Sequence, residues 1–236
     1  MSIWARISDF LATAPANALS SLIEAVRTVF EGDPELRRRV AFSIAMIALS
    51  AKMAKADGIV TQDEVKAFQQ IFIVPREEAH NVARLFDLAK QDVAGFEAYA
   101  ERMARLCGSG QPNCAMLEDI LDGLFHIAKA DGLVHEREVA FLRRVAEIFE
   151  IDEAHFERIL SRHAILGEDD PWRVLGVARS APFESVRAQY RRLVAENHPD
   201  RLIARGVPEE FVTIANARLA AINRAYEAIE RGRRRA

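Results

Sequence analysis

Cysteine is scarce in this chain, and sequence motifs of several enzyme classes are missing. The two cysteines, Cys107 and Cys114, lie seven residues apart, a spacing that matches neither a zinc-binding pair nor the disulfide framework of a small secreted domain. We therefore predict a reducing compartment, the cytoplasm. The chain has no phosphate-binding glycine loop, no G-x-S-x-G turn and no H-E-x-x-H helix, so we predict that it is not an enzyme.

No apolar run is long enough to cross a bilayer. The longest, residues 40–51, has twelve residues between Arg39 and Lys52, whereas a transmembrane helix needs about 20. We predict a buried core helix here and no transmembrane span. Residues 1–34 carry two amphipathic helical patterns, which we expect to pack on the domain behind them, because acidic residues oppose their arginines. The alternative is a peripheral position at the inner membrane.

Net charge is small, and lysine is absent from the C-terminal part of the chain. The 32 Lys and Arg against 35 Asp and Glu imply no global attraction to nucleic acid or membranes. From Glu168 onward the chain has 13 arginines and no lysine, and guanidinium groups suit contacts of fixed geometry with carboxylates. We expect the basic end, Arg231 and Arg233–Arg235, to be solvated, and we predict no nucleic-acid partner.

Strand signals are almost absent, and helical periodicity recurs along the chain. Apolar residues with helical spacing predict helices over Glu78–Lys90, Val93–Cys107, Met116–Ala130, Glu136–Phe149 and Glu153–His163. The predicted fold class is therefore all-α.

An internal repeat lies within this helical region. The stretch AKADGIV at 54–60 returns as AKADGLV at 128–134, which predicts a duplicated helix–turn–helix unit. Each copy ends one helix near Asp-Gly, where glycine suits a left-handed cap, and begins the next soon afterwards.

The start of the second helix in each copy carries capping signals. In the first copy Glu64 completes a capping box, and in the second His135 takes the cap position with Glu138 three residues later. Val134 and Val139 have the spacing of a hydrophobic staple. These roles account for both glutamates as structural residues.

The acidic residues of the two turns are also candidate metal ligands. They are Asp57, Glu64, Asp131 and Glu138. Only one Asp precedes each glycine, which excludes an EF-hand loop. If the two copies pack with pseudo-symmetry, the four carboxylates could converge on a divalent cation; the alternative is that they serve only the helix ends.

The paired KADG-x-V…E-V segments resemble the TerB family, named for tellurite resistance, over residues 35–165. That resemblance implies metal or partner binding at the acidic turns. The function that follows from this resemblance alone is that of a stress-response scaffold or divalent-metal sensor.

A helical hairpin is predicted near the C-terminus. An apolar stripe at i, i+4 and i+7 from Val186 predicts a helix that stops before Pro199, because proline has no N–H to donate and disfavours helix in the residue before it. Another helix is predicted from about Pro208 to Arg231. The two would pack antiparallel, with His198 and Asp200 on either side of the proline at the tip of the joining loop.

Four ordered blocks in this segment resemble the J domain of the DnaJ family. The blocks are Asp170-Pro171-Trp172-x-x-Leu175-Gly176-Val177, Tyr190-Arg191-Arg192-Leu193, His198-Pro199-Asp200-Arg201 and Ile222-Asn223-x-Ala225-Tyr226. The long loop HPDRLIARGVPEEF and the TerB-like domain in front of it resemble the DjlA branch in particular. We accordingly divide the chain into N-terminal helices (1–34), a TerB-like domain (35–165) and a J domain (166–236).

The resemblance implies a co-chaperone that docks on a DnaK-type chaperone and stimulates its ATPase. The implied chaperone-binding residues are His198, Pro199, Asp200, Arg187, Arg191, Arg192 and Arg201. The TerB-like domain would then be a targeting module with a partner of its own. No cofactor is implied beyond the divalent metal considered above. The alternative is that the TerB-like acids carry the function and the J domain is secondary.

Two features depart from the family pattern. Glu196 and Asn197 precede His198 where many J domains carry basic and aromatic residues, and the extra acid is expected to weaken docking or tune the choice of partner. DjlA proteins are expected to carry an N-terminal membrane span, and this sequence shows none, so membrane anchoring is not carried over.

Overall fold

The computed structural model describes most of the chain between Pro34 and Arg235. The described residues are 34–56, 79–91, 95–105, 113–129, 134–163, 170–205, 207–208 and 211–235. Every regular element in these ranges is helical, so the predicted all-α fold class is confirmed. None of the helices in these ranges combines the length and the apolarity that crossing a bilayer requires.

The described ranges contain ten helices. They are α1 (Pro34–Ala56), α2 (Ala79–Gln91), α3 (Phe96–Ala104), α4 (Ala115–Ala128), α5 (Glu136–Ile148), α6 (Glu153–His163), α7 (Pro171–Leu175), α8 (Phe183–Glu196), α9 (Pro199–Ala204) and α10 (Val212–Arg235). Helices α2 to α6 coincide, apart from their ends, with the five segments of helical periodicity. The last helix begins at Val212 rather than near Pro208 and continues to Arg235.

Helix α1 is the centre of the first domain. Its residues 40–54 are all buried, and α2, α3, α4 and α5 pack around it. A helix that is apolar on all sides is stable in water only when other elements enclose it. The prediction that the run 40–51 forms a core helix, and not a membrane span, is therefore confirmed for this segment.

The capping signals at the second copy of the repeat form the expected contacts. The backbone N–H of His135 donates to Glu138 Oε2 at 2.8 Å, which satisfies a donor that the helix start leaves without a partner. Val134 and Val139 both pack against the core of the first domain. The corresponding turn of the first copy lies outside the described residues, as do residues 1–33.

The C-terminal segment contributes to two separate apolar cores. One core lies within the hairpin and comprises Val174, Leu175, Val186, Leu193, Ile222, Ala225 and Ile229. The other is the core of the first domain, which also takes in Leu202, Val207, Phe211 and Ile214. The ring of Phe211 packs edge-on against Phe42 of α1, with centroids 4.7 Å apart. The described core residues between the α8–α9 junction and Ile214 thus pack with the first domain.

Gly123 allows three helices from the two segments to meet. A Cβ atom at this position in α4 would lie 2.7 Å from Met46 Cε and 3.3 Å from Ile214 Cδ1, both closer than carbon atoms normally pack. The missing side chain therefore lets α4 approach α1 and α10 at the same point.

A disulfide bond at Cys114 was not expected from the sequence. This residue, at the N-terminus of α4, is disulfide-bonded. The other cysteine of the chain, Cys107, lies outside the described residues. A low cysteine count argues against a stabilising framework of several bridges, but it does not exclude a single bridge.

Candidate functional site

The tripeptide His198-Pro199-Asp200, here called the HPD turn, lies at the junction of α8 and α9. We predicted a loop at this point, but the tripeptide ends one helix and also starts another. Pro199 is the first residue of α9, where its fixed φ suits the helix and its missing N–H leaves no gap. His198 is the N-cap, and its Nδ1 accepts from the N–H of Asp200 at 3.3 Å.

The polar groups of the HPD turn face solvent. The side chain of His198 is 55% exposed and that of Asp200 is 86% exposed, with Nδ1 and Oδ2 3.6 Å apart. Because Nδ1 acts as an acceptor, the neutral imidazole carries its proton on Nε2. The turn therefore offers a ring N–H donor and a carboxylate side by side, at the start of a short helix that His198 caps.

A groove of about 470 Å³ opens beside the HPD turn. It is lined by Tyr190, Arg191, Val194, Ala195, His198, Asp200 and Arg201. The phenol of Tyr190 is held in place, since its ring stacks on Tyr226 at 4.1 Å and its hydroxyl donates to Asn223 Oδ1 at 3.1 Å. The groove thus combines an apolar wall from α8 with charged groups from both helices.

The four predicted docking arginines do not share one environment. Arg187, Arg191, Arg192 and Arg201 are all exposed. Arg191 and Arg201 line the groove beside the HPD turn, and Arg187 lies one helical turn before Arg191. Arg192 instead lies 3.5 Å from Glu196 through its Nε and lines a different cavity, towards the first domain.

Of the four candidate metal ligands, only Glu138 lies among the residues that the structure describes. Glu138 is buried, and its carboxylate accepts the helix-capping hydrogen bond from His135. Asp57, Glu64 and Asp131 lie outside the described residues. The part of the chain that the structure describes contains no group of three or more His, Cys, Asp and Glu side chains with metal-binding geometry. Metal binding at the acidic turns stays a prediction.

A buried ionic cluster next to the HPD turn was missed by the sequence analysis. Arg218 of α10 donates from Nη1 to Asp119 Oδ1 at 2.6 Å and from Nε to Asp122 Oδ2 at 2.9 Å. Both carboxylates belong to α4, and all three side chains are at most 5% exposed. From the same Nη1, Arg218 also donates to Asn197 Oδ1 at 2.9 Å. The cluster therefore joins the first domain to the residue that precedes His198.

Asp122 stays ionised although it is buried. Burial alone would raise the pKa of Asp122, but Arg218, Arg162 and His163 together hold it well below its usual value. Arg162 Nη2 and His163 Nε2 lie 2.9 and 3.1 Å from Asp122 Oδ1, at the C-terminal end of α6, where cations are favoured. Burial lowers the pKa of His163 despite the neighbouring carboxylate.

One signal in the sequence could have revealed this cluster. Asp119 and Asp122 are three residues apart in the otherwise apolar stretch AMLEDILDGLFHIA, so both lie on one side of a buried helix. Carboxylates in such a place need a cation. The sequence does not say which of the many arginines supplies it, because Arg218 is 99 residues from Asp119.

We predict that replacing Arg218 by methionine lowers the free energy of unfolding by about 3 kcal/mol, because the change leaves buried carboxylates without their main counter-ion. The matched control is Arg224→Met on the exposed face of the same helix, which should change it by no more than about 0.5 kcal/mol. Urea denaturation measures both. Equal stability of the two variants would mean that the buried ion pairs do not hold α10 on α4.

We predict that the chain loses stability as the pH falls below about 6.5, where a histidine titrates in the unfolded state. His163 has a lowered pKa in the folded state, so the unfolded chain binds the extra proton first, at a cost of up to about 1.4 kcal/mol per pH unit. In His163→Phe, which keeps an aromatic ring against Phe125, the loss between pH 7.5 and 5.5 should be smaller than in wild type. An equal loss of unfolding free energy in the two proteins over this pH range would contradict the prediction.

Comparison with known proteins identifies the family. The model of the family described as tellurite resistance protein TerB matches residues 43–161. Co-chaperone protein DjlA of Photobacterium profundum is 28% identical over 226 residues, covering 82% of this chain and 78% of that protein. The protein of the same name from Coxiella burnetii is 29% identical over 202 residues, covering 77% and 73%.

The DjlA of Escherichia coli K12 is 24% identical over 221 residues, covering 82% of this chain and 80% of that protein. No solved structure matches the chain significantly. The match to the TerB model extends over half of the chain and includes α4, which carries Asp119 and Asp122. The chain therefore belongs to the TerB family, and it is a DjlA-like protein with a TerB-like domain.

Proposed function

We propose that this protein is a co-chaperone of the DnaJ type, which docks on a DnaK-type chaperone and stimulates its ATPase without being an enzyme itself. The similar proteins named co-chaperone protein DjlA support this role. The four sequence blocks that resemble a J domain lie on α7, α8, the HPD turn and α10. In this proposal the TerB-like domain is the module that binds a further partner and determines where the chaperone is recruited.

The observation that carries the proposal is the exposed HPD turn. His198 is oriented by the hydrogen bond from the N–H of Asp200 to its Nδ1, which caps α9 and fixes the direction of the ring. Its free Nε2–H and the carboxylate of Asp200 are available to a partner's acceptor and guanidinium. Pro199 holds the two at a constant separation.

The arginines of α8 supply the orientation of the complex. Arg187 and Arg191 are exposed and, being four residues apart, lie on one face of the helix, so they can meet an acidic surface together. Charges at the rim of an interface act mainly on the association rate and on the choice of partner. We therefore assign docking to these arginines and triggering of ATP hydrolysis to the HPD turn.

We expect His198→Gln to abolish stimulation of a purified bacterial DnaK, lowering the maximal rate about tenfold or more, as the loss of at least about 1.4 kcal/mol of transition-state stabilisation would. Glutamine keeps a polar group but not the rigid ring. The control is His80→Gln, at an exposed histidine of α2. Steady-state ATP hydrolysis is the measurement, and a wild-type rate with His198→Gln would overturn the proposal.

We expect Arg191→Glu to act on docking and not on triggering. The concentration of co-chaperone that gives half-maximal stimulation should rise about tenfold at low salt, since a like charge then faces the partner. The effect should shrink at about 0.5 M salt, where charges are screened over a few ångströms. The control is Arg84→Glu, a reversal at an exposed arginine of α2. An unchanged half-maximal concentration for Arg191→Glu would contradict the assignment of docking.

A further inference from the structure

The HPD turn is fixed on its N-terminal side through Asn197. This residue is 8% exposed, and its Nδ2 donates to the carbonyl of Leu193 at 2.7 Å. Its Oδ1 accepts from Arg218 Nη1 at 2.9 Å. Both ends of the side-chain amide are thus engaged, and the backbone that leads directly into His198 has little freedom to move.

Arg218 connects this amide to the TerB-like domain. Asp119 and Asp122 hold the guanidinium from α4, at 2.6 and 2.9 Å. A path of three hydrogen-bonded side chains, from an aspartate through Arg218 to Asn197, therefore runs from α4 to the backbone just before His198. Because the guanidinium is planar and each of these bonds is directional, a displacement of α4 changes the position that Asn197 can take.

The TerB-like domain also holds the HPD turn on its C-terminal side. Leu202, two residues after Asp200, is 3% exposed and belongs to the core built around α1. Arg205 donates from Nη2 to the carbonyl of Glu196 at 3.2 Å and lies 3.5 Å from Asp119 Oδ2. Phe211 then inserts beside Phe42.

The hairpin's own core does not provide this anchorage. Its residues come from α7, α8 and α10, and Leu193, the last of them on α8, precedes the HPD turn by five residues. The side chains of His198 and Asp200 remain exposed, so the turn is held by its neighbours and leaves its functional groups free.

We infer that the TerB-like domain positions the HPD turn, with Asp119 and Asp122 acting through Arg218 and Asn197 as positioning residues for chaperone stimulation. The inference rests on the proposed function and adds to it a second role for the TerB-like domain. Docking through Arg187 and Arg191 does not use this connection. A break in it should therefore lower the maximal stimulated rate and leave the half-maximal concentration unchanged.

The test compares two substitutions at Asn197 in the full chain. Asn197→Leu has a similar size and no acceptor, whereas Asn197→Asp keeps an oxygen for Arg218. Misplaced reacting groups can cost large factors in rate, so we expect Asn197→Leu to lower the maximal stimulation of DnaK about tenfold. Asn197→Asp should stay within about twofold of wild type, and both should keep the wild-type half-maximal concentration.

A second pair of variants tests the connection from the side of the first domain. Asp119→Leu removes one acceptor of Arg218 and should have the same effect as Asn197→Leu. The control is Glu118→Leu, at the adjacent position of α4. If Asp119→Leu does not fold, the two variants at Asn197 still decide the question.

Hydrogen exchange of the HPD turn gives a measurement that needs no chaperone. The amides of Arg201 and Leu202 donate to the carbonyl of His198 at 2.9 and 3.2 Å, and they should exchange faster in Asn197→Leu than in wild type or Asn197→Asp. Wild-type stimulation and exchange in both leucine variants would overturn the inference. So would equal losses in Asn197→Leu and Asn197→Asp. If the wild-type chain does not stimulate DnaK, the proposed function is refuted. The hydrogen-exchange comparison would then be the test of whether the TerB-like domain positions the HPD turn.

Discussion

A buried guanidinium that must be neutralised is the constraint on which the arrangement of this molecule depends. Arg218 is 5% exposed on α10, and its counter-ions, Asp119 and Asp122, are both on α4. A shift of α10 away from α4 that left these carboxylates buried without their counter-ion would cost on the order of 3–5 kcal/mol. The C-terminal hairpin therefore cannot swing freely on the first domain, and Gly123 lets the same helices approach closely enough for the pair to form.

The HPD turn lies directly beside this buried ion pair. Asn197 before it and Leu202 after it are buried, while His198 and Asp200 are exposed. The local structure follows from the tripeptide itself, since histidine caps a helix that proline can start. As a result, the short helix α9 presents a donor and a carboxylate in fixed geometry. The surrounding fold holds this helix in place, because six residues are too few to form a stable helix alone.

Two neighbouring arginines on α8 point to different parts of the surface. Arg191 lines the groove at the HPD turn, whereas Arg192, its neighbour, points to the cavity beside the first domain and pairs with Glu196. Glu196 pairs with Arg192, which lies away from the groove, and its expected effect on docking stays a prediction. Adjacent residues on a helix point about 100° apart, so a run of arginines need not act as one patch.

Much of the local structure was predictable from the sequence, since helices and caps depend on residues close together in the chain. The periodicity of residues 78–163, the buried run 40–51 and the cap at His135 all appear where the pattern predicts them. The start of α9 at Pro199 and the disulfide at Cys114 were not predicted, although the start of α9 depends only on neighbouring residues. Only the tertiary structure decided which arginine pairs with Asp119 and Asp122, and that Leu202 and Phe211 enter the core of the first domain. These contacts join residues about a hundred or more positions apart, and a choice among many similar side chains at such a distance is made by packing, which no local pattern records.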